Sequence, residues 1–192
     1  MTTTDSSQAD PADETAPFEV LLSESQISRR IDELGAKIRA DYKDSERLIA
    51  IGVLSGSVFF MVDLLRRLAD LPVTVDFFQV SSYGDSTVPG EVRIRKDIDS
   101  SIRGSDVLLI EDIVDTGYTL RTILDLLKFR GAKSVRLCAL LDKTARRQAE
   151  VPIDYCGFEI EDHFVIGYGL DYAGRYRNLP YVGIYDPSVE KD

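Results

Sequence analysis

Residues 107–120 read VLLIEDIVDTGYTL. The first four, Val107–Ile110, form an unbroken apolar run bounded by polar residues, suited to a strand covered on both faces. Two adjacent acids, Glu111 and Asp112, follow. After a short turn, Asp115-Thr116-Gly117-Tyr118-Thr119 opens a helix, starting at about 116–118. Its apolar residues Leu120, Ile123, Leu124 and Leu127 recur at helical spacing, and it ends before Gly131, which serves as a terminating glycine. The first N–H groups of a helix have no partner within it. With the hydroxyls of Thr116 and Thr119 they make an anion site of monophosphate size, which Gly117 lets the backbone approach closely. Two carboxylates beside such a cradle point to a polyol between them, a ribose whose hydroxyls Glu111 and Asp112 hold. The Walker pattern G-x-x-x-x-G-K-[ST] is absent. The plainer alternative is a strand end with solvated acids and Asp115 as helix N-cap.

The flanking sequence repeats the strand–helix alternation. Ser23 with Gln26 reads as a capping box, and Ile27, Ile31, Leu34, Ile38 and Tyr42 follow at helical spacing. Leu48–Leu54 is a buried strand that runs into the turn Ser55-Gly56-Ser57, and Val58–Leu68 is a helix apolar on most faces. Val73–Val80 is β-branched and aromatic, a further strand. Residues 81–91 are rich in Ser, Gly and Pro, a loop, and Val92, Ile94 and Ile98 alternate as an exposed ribbon. Ser134–Leu141 is another strand. Such alternation indicates an α/β fold with a largely parallel sheet, in which ligands bind beyond the carboxyl ends of the strands. Attention therefore falls on residues 55–57, 81–83, 111–119 and 142–143.

Composition narrows the function. With 192 residues the chain is one domain with a small appendage. Residues 1–17 carry four acids, no base and little apolar surface, which predicts a disordered tail ahead of a domain spanning 18–192. The net charge is −10, or −6 without the tail acids, and the 23 basic residues form no dominant run; this argues against a nucleic-acid partner. No apolar run reaches the ~18 residues of a membrane span, and no signal peptide is visible. Cys138 and Cys156 cannot make a disulfide scaffold, and with one histidine a structural zinc site is improbable. A cytoplasmic setting is expected.

The string 107–120 resembles the phosphoribosyl pyrophosphate (PRPP) signature of type I phosphoribosyltransferases, most closely the 6-oxopurine (hypoxanthine–guanine) branch. Four further segments match in family order. GVLSGS (52–57) resembles the pyrophosphate loop, and SSYGDST (81–87) the start of a mobile loop. LLDKTARR (140–147) resembles the purine-reading segment, and HFVIGYGLDYAGRYRNLPYVG (163–183) the C-terminal signature. One departure is Ser55, where many members carry Lys; a backbone contact tolerates Ser, whereas a side-chain charge contact would be lost.

The resemblance implies a central sheet flanked by helices with a small hood built from C-terminal and some N-terminal segments. It implies transfer of 5-phosphoribosyl from PRPP to hypoxanthine, and to guanine, with release of pyrophosphate. Leu54, Ser55, Gly56 and Arg177 would face pyrophosphate, with Mg²⁺ held by Asp171 directly or through water, and Glu111 and Asp112 as further metal candidates. Residues Asp115, Thr116, Gly117, Tyr118 and Thr119 would hold the 5′-phosphate, and Asp115 would be the general base. Lys143 would read the 6-oxo group, Phe164 would stack on the purine, and the Val165 backbone would meet its edge. Ser82 and Tyr83 would close a mobile loop spanning about 81–98. His163 is given no acid–base role. A homo-oligomer, dimer or tetramer, is implied. Two alternatives stay open: a transferase for xanthine or another base, and a PRPP-sensing regulator that has lost catalysis. The spacing from Lys143 to Phe164-Val165 favours the purine enzyme, and the acidic charge with Asp115 in place opposes the regulator.

Overall fold

The structure, a computed structural model, describes residues 18–82 and 92–186. The expected tail at 1–17 and Tyr83 lie outside the described residues. Nine strands and three helices follow along the chain: β1 (Glu19–Leu22), α1 (Glu24–Tyr42), β2 (Leu48–Leu54), α2 (Val58–Arg66), β3 (Val73–Ser82), β4 (Val92–Lys96), β5 (Asp106–Val114), α3 (Tyr118–Phe129), β6 (Ser134–Asp142), β7 (Tyr155–Glu159), β8 (Val165–Ile166) and β9 (Val182–Ile184), these being the elements among the described residues.

The main sheet has the order β4-β3-β2-β5-β6-β7. Its strands run parallel except β4, which folds back antiparallel on β3 as the expected ribbon. The apolar runs alternate across this sheet. Leu48, Ala50, Leu108, Ile110, Cys138 and Leu140 pack under α1 and α2, and Ile49, Ile51, Val53, Val107, Leu109, Leu137 and Ala139 pack under α3. Both faces are therefore dry, which is why these strands read as continuous apolar stretches. Helix α1 starts on the predicted capping box: Ser23 N donates to Gln26 Oε1 at 2.8 Å and Gln26 N to Ser23 Oγ at 3.3 Å. Helix α3 ends at the predicted glycine, Gly131, with φ of 84°.

A second, antiparallel sheet of order β1-β9-β8 joins the two ends of the folded chain and forms the hood. Leu22, Val165, Tyr168, Leu170 and Val182 continue the core that lies under α1 and α2, so the hood is packed onto the main body rather than tethered to it.

Two expectations are corrected. Strand β5 does not stop at Ile110: its ladder with β6 continues through Glu111↔Ala139 and Ile113↔Leu141 to Val114↔Asp142. Charge at 111–112 masked a strand whose backbone pairing persists. The helix after β2 ends at Arg66 rather than Leu68. Strands β1, β7, β8 and β9 were not read from the sequence; they are two to five residues long, too short for a periodic signal. Among the described residues no helix is long and apolar enough to cross a membrane.

Candidate active site

Strand β2 has β3 on one side and β5 on the other. The chain order thus reverses between β2 and β5, and the carboxyl ends of these two strands border the crevice where open parallel sheets bind ligands. The turn Ser55-Gly56-Ser57 leaves β2 there, through a cis Leu54–Ser55 peptide, and enters α2. Ser57 is buried and donates its hydroxyl to the Val53 carbonyl at 2.7 Å, which fixes the turn. Across the crevice, Asp112 lies directly on Gly56: a Cβ built at Gly56 would stand 1.6 Å from Asp112 Oδ2. A third segment closes the contact from the hood. Gly169, with φ of 103°, packs so tightly that a Cβ on it would lie 2.0 Å from the Gly56 carbonyl oxygen. The predicted pyrophosphate residues Leu54, Ser55 and Gly56 are thereby brought beside the predicted ribose residues and the C-terminal signature.

Arg177 and Asp171, assigned separately to pyrophosphate and metal, pair with each other. Arg177 Nη2 lies 2.7 Å from Asp171 Oδ1, and its Nη1 donates to the Gly169 carbonyl at 2.5 Å. Asp171 Oδ2 accepts from Gly174 N at 2.8 Å. Both side chains are about one-third exposed, so the pair borders the crevice and remains open to an incoming anion.

The loop after β5 is clasped from one side. Gly117 is the N-cap of α3 in the left-handed region, at φ 88°, and no side chain caps the helix. Asp115 is therefore not the N-cap, contrary to the plainer alternative. The first N–H groups of α3 stay available to an anion. A Cβ at Gly117 would meet the Ala149 carbonyl at 2.6 Å. Gln148 N and Ala149 N both donate to the Thr116 carbonyl, at 3.0 and 2.9 Å, and Lys143 N donates to the Val114 carbonyl at 3.0 Å. Arg147 Nε donates to the Asp115 carbonyl at 3.1 Å while its guanidinium also pairs with Asp142. Asp115 Oδ1 accepts no hydrogen bond among the described residues, though Arg146 Nε is 3.2 Å away. The two arginines were missed as functional residues; they stand in LLDKTARR, of which only Lys143 was used.

The base-side residues gather where β6 ends beside the hood. Lys143 is buried, not the solvated loop lysine that a lone Asp-Lys suggests, and Nζ donates to the His163 carbonyl at 2.5 Å. Phe164 is half exposed, its ring edge-on to Tyr172 at 5.9 Å and tilted against Tyr185 at 5.8 Å, so one aromatic surface faces outward from a supported cluster. Val165 is buried in β8, the outermost strand of the hood sheet, and the backbone of an outermost strand has an unpaired side. His163 Nε2 lies 3.4 Å from Glu161 Oε2. The backbone of Ser82 ends β3.

The family model of the Phosphoribosyl transferase domain matches residues 19–173. The chain is 51% identical over 171 residues to the hypoxanthine-guanine phosphoribosyltransferase of Bacillus subtilis, covering 88% of this chain and 94% of that protein. It is 49% identical over 168 residues to the hypoxanthine phosphoribosyltransferase of Haemophilus influenzae, covering 86% and 93%. A crystal structure of a hypoxanthine phosphoribosyltransferase from Staphylococcus aureus superposes with a TM-score of 0.85 at 47% identity, covering 91% of this chain and 94% of that one.

The electrostatics of the crevice run against stability. Burial, and then the neighbouring charge of Asp112, hold the Glu111 carboxyl well above the usual glutamate range; its Oε2 is shielded from solvent with no hydrogen-bond partner among the described residues. Asp112 is pushed from the usual 3.8 to about 6, chiefly by burial, with Asp171 adding to the rise and hydrogen bonds from Ile113 N and its own N–H, together with the charge of Arg177, opposing it. An acid that titrates higher when folded binds its proton more tightly in the native state. Native stability therefore falls as pH rises from about 4 to about 6, and the penalty is complete above that window. Asp112→Asn removes the buried charge at constant shape. It should melt higher than the parent at pH 8, by the equivalent of roughly 1–2 kcal/mol, with the advantage vanishing below about pH 4. Thermal melts across pH 4–8 without ligand check this; a constant difference at all pH values would show that the carboxylate carries no such penalty.

Proposed function

The chain belongs to the phosphoribosyl transferase domain family, and we propose that it works in purine salvage, moving the 5-phosphoribosyl group of PRPP to a ring nitrogen of hypoxanthine, and of guanine, with release of pyrophosphate. The observation that carries this reading is the meeting at Gly56 of the turn after β2, Asp112 of β5 and the hood at Gly169, with α3 starting six residues after Asp112. The uncapped N-terminus of α3 suits the 5′-phosphate, Glu111 and Asp112 the ribose hydroxyls, and the 54–56 turn with Arg177 the pyrophosphate.

Breaking the C1′ bond of PRPP builds positive charge on the ribose ring while pyrophosphate departs, so preorganised electrostatics should supply most of the acceleration. The buried acids at 111–112 serve this step: desolvated carboxylates held beside the ring favour developing positive charge more than the neutral ground state. Asp115, whose Oδ1 is shielded and accepts no hydrogen bond among the described residues, takes the proton from purine N7. Lys143 donates to the 6-oxo group, Phe164 stacks on the purine, and the backbone of Val165 meets its edge.

A divalent cation fits this site. Burial, with the charge of Asp171 adding to it, raises the proton affinity of Asp112 even against the opposing charge of Arg177, so a further cation beside it would be compensated. No group of three or more ligating side chains exists among the described residues. Mg²⁺, which keeps several waters and takes one or two carboxylates with phosphate oxygens, suits that arrangement. Asp171 is the proposed protein contact, with Glu111 and Asp112 nearby, and the ion would neutralise pyrophosphate. A cytoplasmic enzyme that assembles as a homo-oligomer completes the proposal. Phe59, Val62 and Val75 are large exposed apolar side chains that a second copy would cover, and sedimentation should read a mass above that of one chain.

Product formation from PRPP and Mg²⁺ with hypoxanthine, guanine, xanthine or adenine tests the reading: turnover of the first two is expected, and turnover of adenine alone would refute it. Asp115→Asn should lower kcat by ~10²–10⁴ with PRPP affinity nearly intact, because the amide cannot take the proton while the loop backbone survives. A loss under about threefold would remove Asp115 from this role. Lys143→Met keeps the buried stem and removes the donor, so KM for hypoxanthine should rise with little change for PRPP; equal losses for both substrates would mean general damage. Calorimetry should show PRPP binding with Mg²⁺ and little in EDTA, and equal binding in both would overturn the metal assignment.

A further inference from the structure

Residues 143–147 hold more charge than purine reading requires. Thr144–Arg146 is a short 3-10 turn, closed by a hydrogen bond from Arg146 N to the Lys143 carbonyl at 3.2 Å. Lys143, buried, stands just before this turn, and Arg146, about half exposed, ends it. They converge on one acid: Asp162 Oδ1 lies 3.7 Å from Lys143 Nζ and 3.7 Å from Arg146 Nη1. The other end of the Arg146 guanidinium, Nε, lies 3.2 Å from Asp115 Oδ1. Two cations and two carboxylates thus form a neutral quartet, with Arg146 as the one member that touches the acids at both ends. Arg147 behaves differently: it binds the loop backbone at the Asp115 carbonyl, not the carboxylate.

We propose that Arg146 is a positioning residue that holds the Asp115 carboxylate at one end and shares Asp162 with Lys143 at the other, setting the N7 and O6 readers of the purine relative to one another. The proposal rests on the roles given above to Asp115 and Lys143. Those two purine atoms are neighbours on one edge, so their readers must be placed together, and a guanidinium whose Nε and Nη1 lie against separate acids spans them where a single ammonium could not. Sharing matters for Lys143 too. With Arg146 in place the charge of Asp162 is divided between two cations; without it the whole charge draws Lys143 away from the purine. As the Arg146, Asp115 and Asp162 side chains are each about half exposed, the quartet contributes little to folding, and its effect should appear in catalysis.

Steady-state kinetics on Arg146→Gln, alone and combined with Asp115→Asn or Asp162→Asn, test this, with melting temperature and PRPP affinity as structural controls. Arg146→Gln should lower kcat by ~10-fold, yet change it less than about twofold when Asp115 is already Asn, because residues acting through one another are not additive. It should also raise KM for hypoxanthine, and adding Asp162→Asn should bring KM back. Equal kcat losses in both Asp115 backgrounds, or a hypoxanthine KM that stays high after Asp162→Asn, would overturn the proposal while leaving Asp115 and Lys143 in their roles. If Asp115→Asn alone is nearly as active as the parent, the underlying assignment fails first, and the two failures are distinguishable.

Discussion

The structure depends on the contact between the Asp112 carboxylate and the Cα of Gly56. No side chain fits between β2 and β5 at this point, since a Cβ at Gly56 would fall within 1.6 Å of Asp112 Oδ2. The approach draws the turn after β2 against the end of β5, and Gly169 then seals the hood onto the same turn from above. Two glycines therefore join the two sheets at one point. The cost is a pair of largely buried acids, one with an unpartnered oxygen among the described residues, where on the proposed reading a polyanionic substrate with its cation would supply compensation. Such frustration in the free protein is what a binding site looks like before its ligand arrives.

Around this point the scaffold is over-determined. Segment 143–149 makes three backbone bonds to Val114 and Thr116, and Arg147 adds a side-chain bond to the Asp115 carbonyl. The 114–117 loop is thereby fixed without any use, among the described residues, of the N–H groups at the start of α3. Helix capping would have been the cheaper way to stabilise α3. The left-handed glycine at the N-cap instead lets the Ala149 carbonyl approach the loop closely.

Much of this was legible in the sequence because the relevant residues are local. The start of α3 after Gly117 and the capping box at Ser23 are fixed by neighbours within a few positions, and both stand in the structure as read. The hood was legible only through resemblance. Strands β8 and β9 are held by partners far along the chain, and no periodicity develops over two or three residues. Lys143 illustrates the same limit at a site. Its burial comes from the hood, through the His163 carbonyl, and nothing in its own neighbourhood of sequence announces it. The ladder through Glu111 and Asp112 was hidden for the opposite reason: their charge speaks for a strand end, but the β5–β6 pairing outweighs it.

The net charge of −10 and the polyanionic character of PRPP look opposed, and their reconciliation follows from distance. At physiological ionic strength exposed charges more than about 8 Å away are largely screened, so the acidic surface exerts little force on a ligand in the crevice. On the proposed reading, what PRPP would meet is local: the positive end of α3, the guanidinium of Arg177, and carboxylates whose proton affinity is raised chiefly by burial. On the proposed reading, a divalent cation carried with pyrophosphate would turn these carboxylates from repulsive to attractive neighbours. Recognition is then a matter of pairing charges at contact, and the charge of the whole chain bears on its solubility rather than on its substrate.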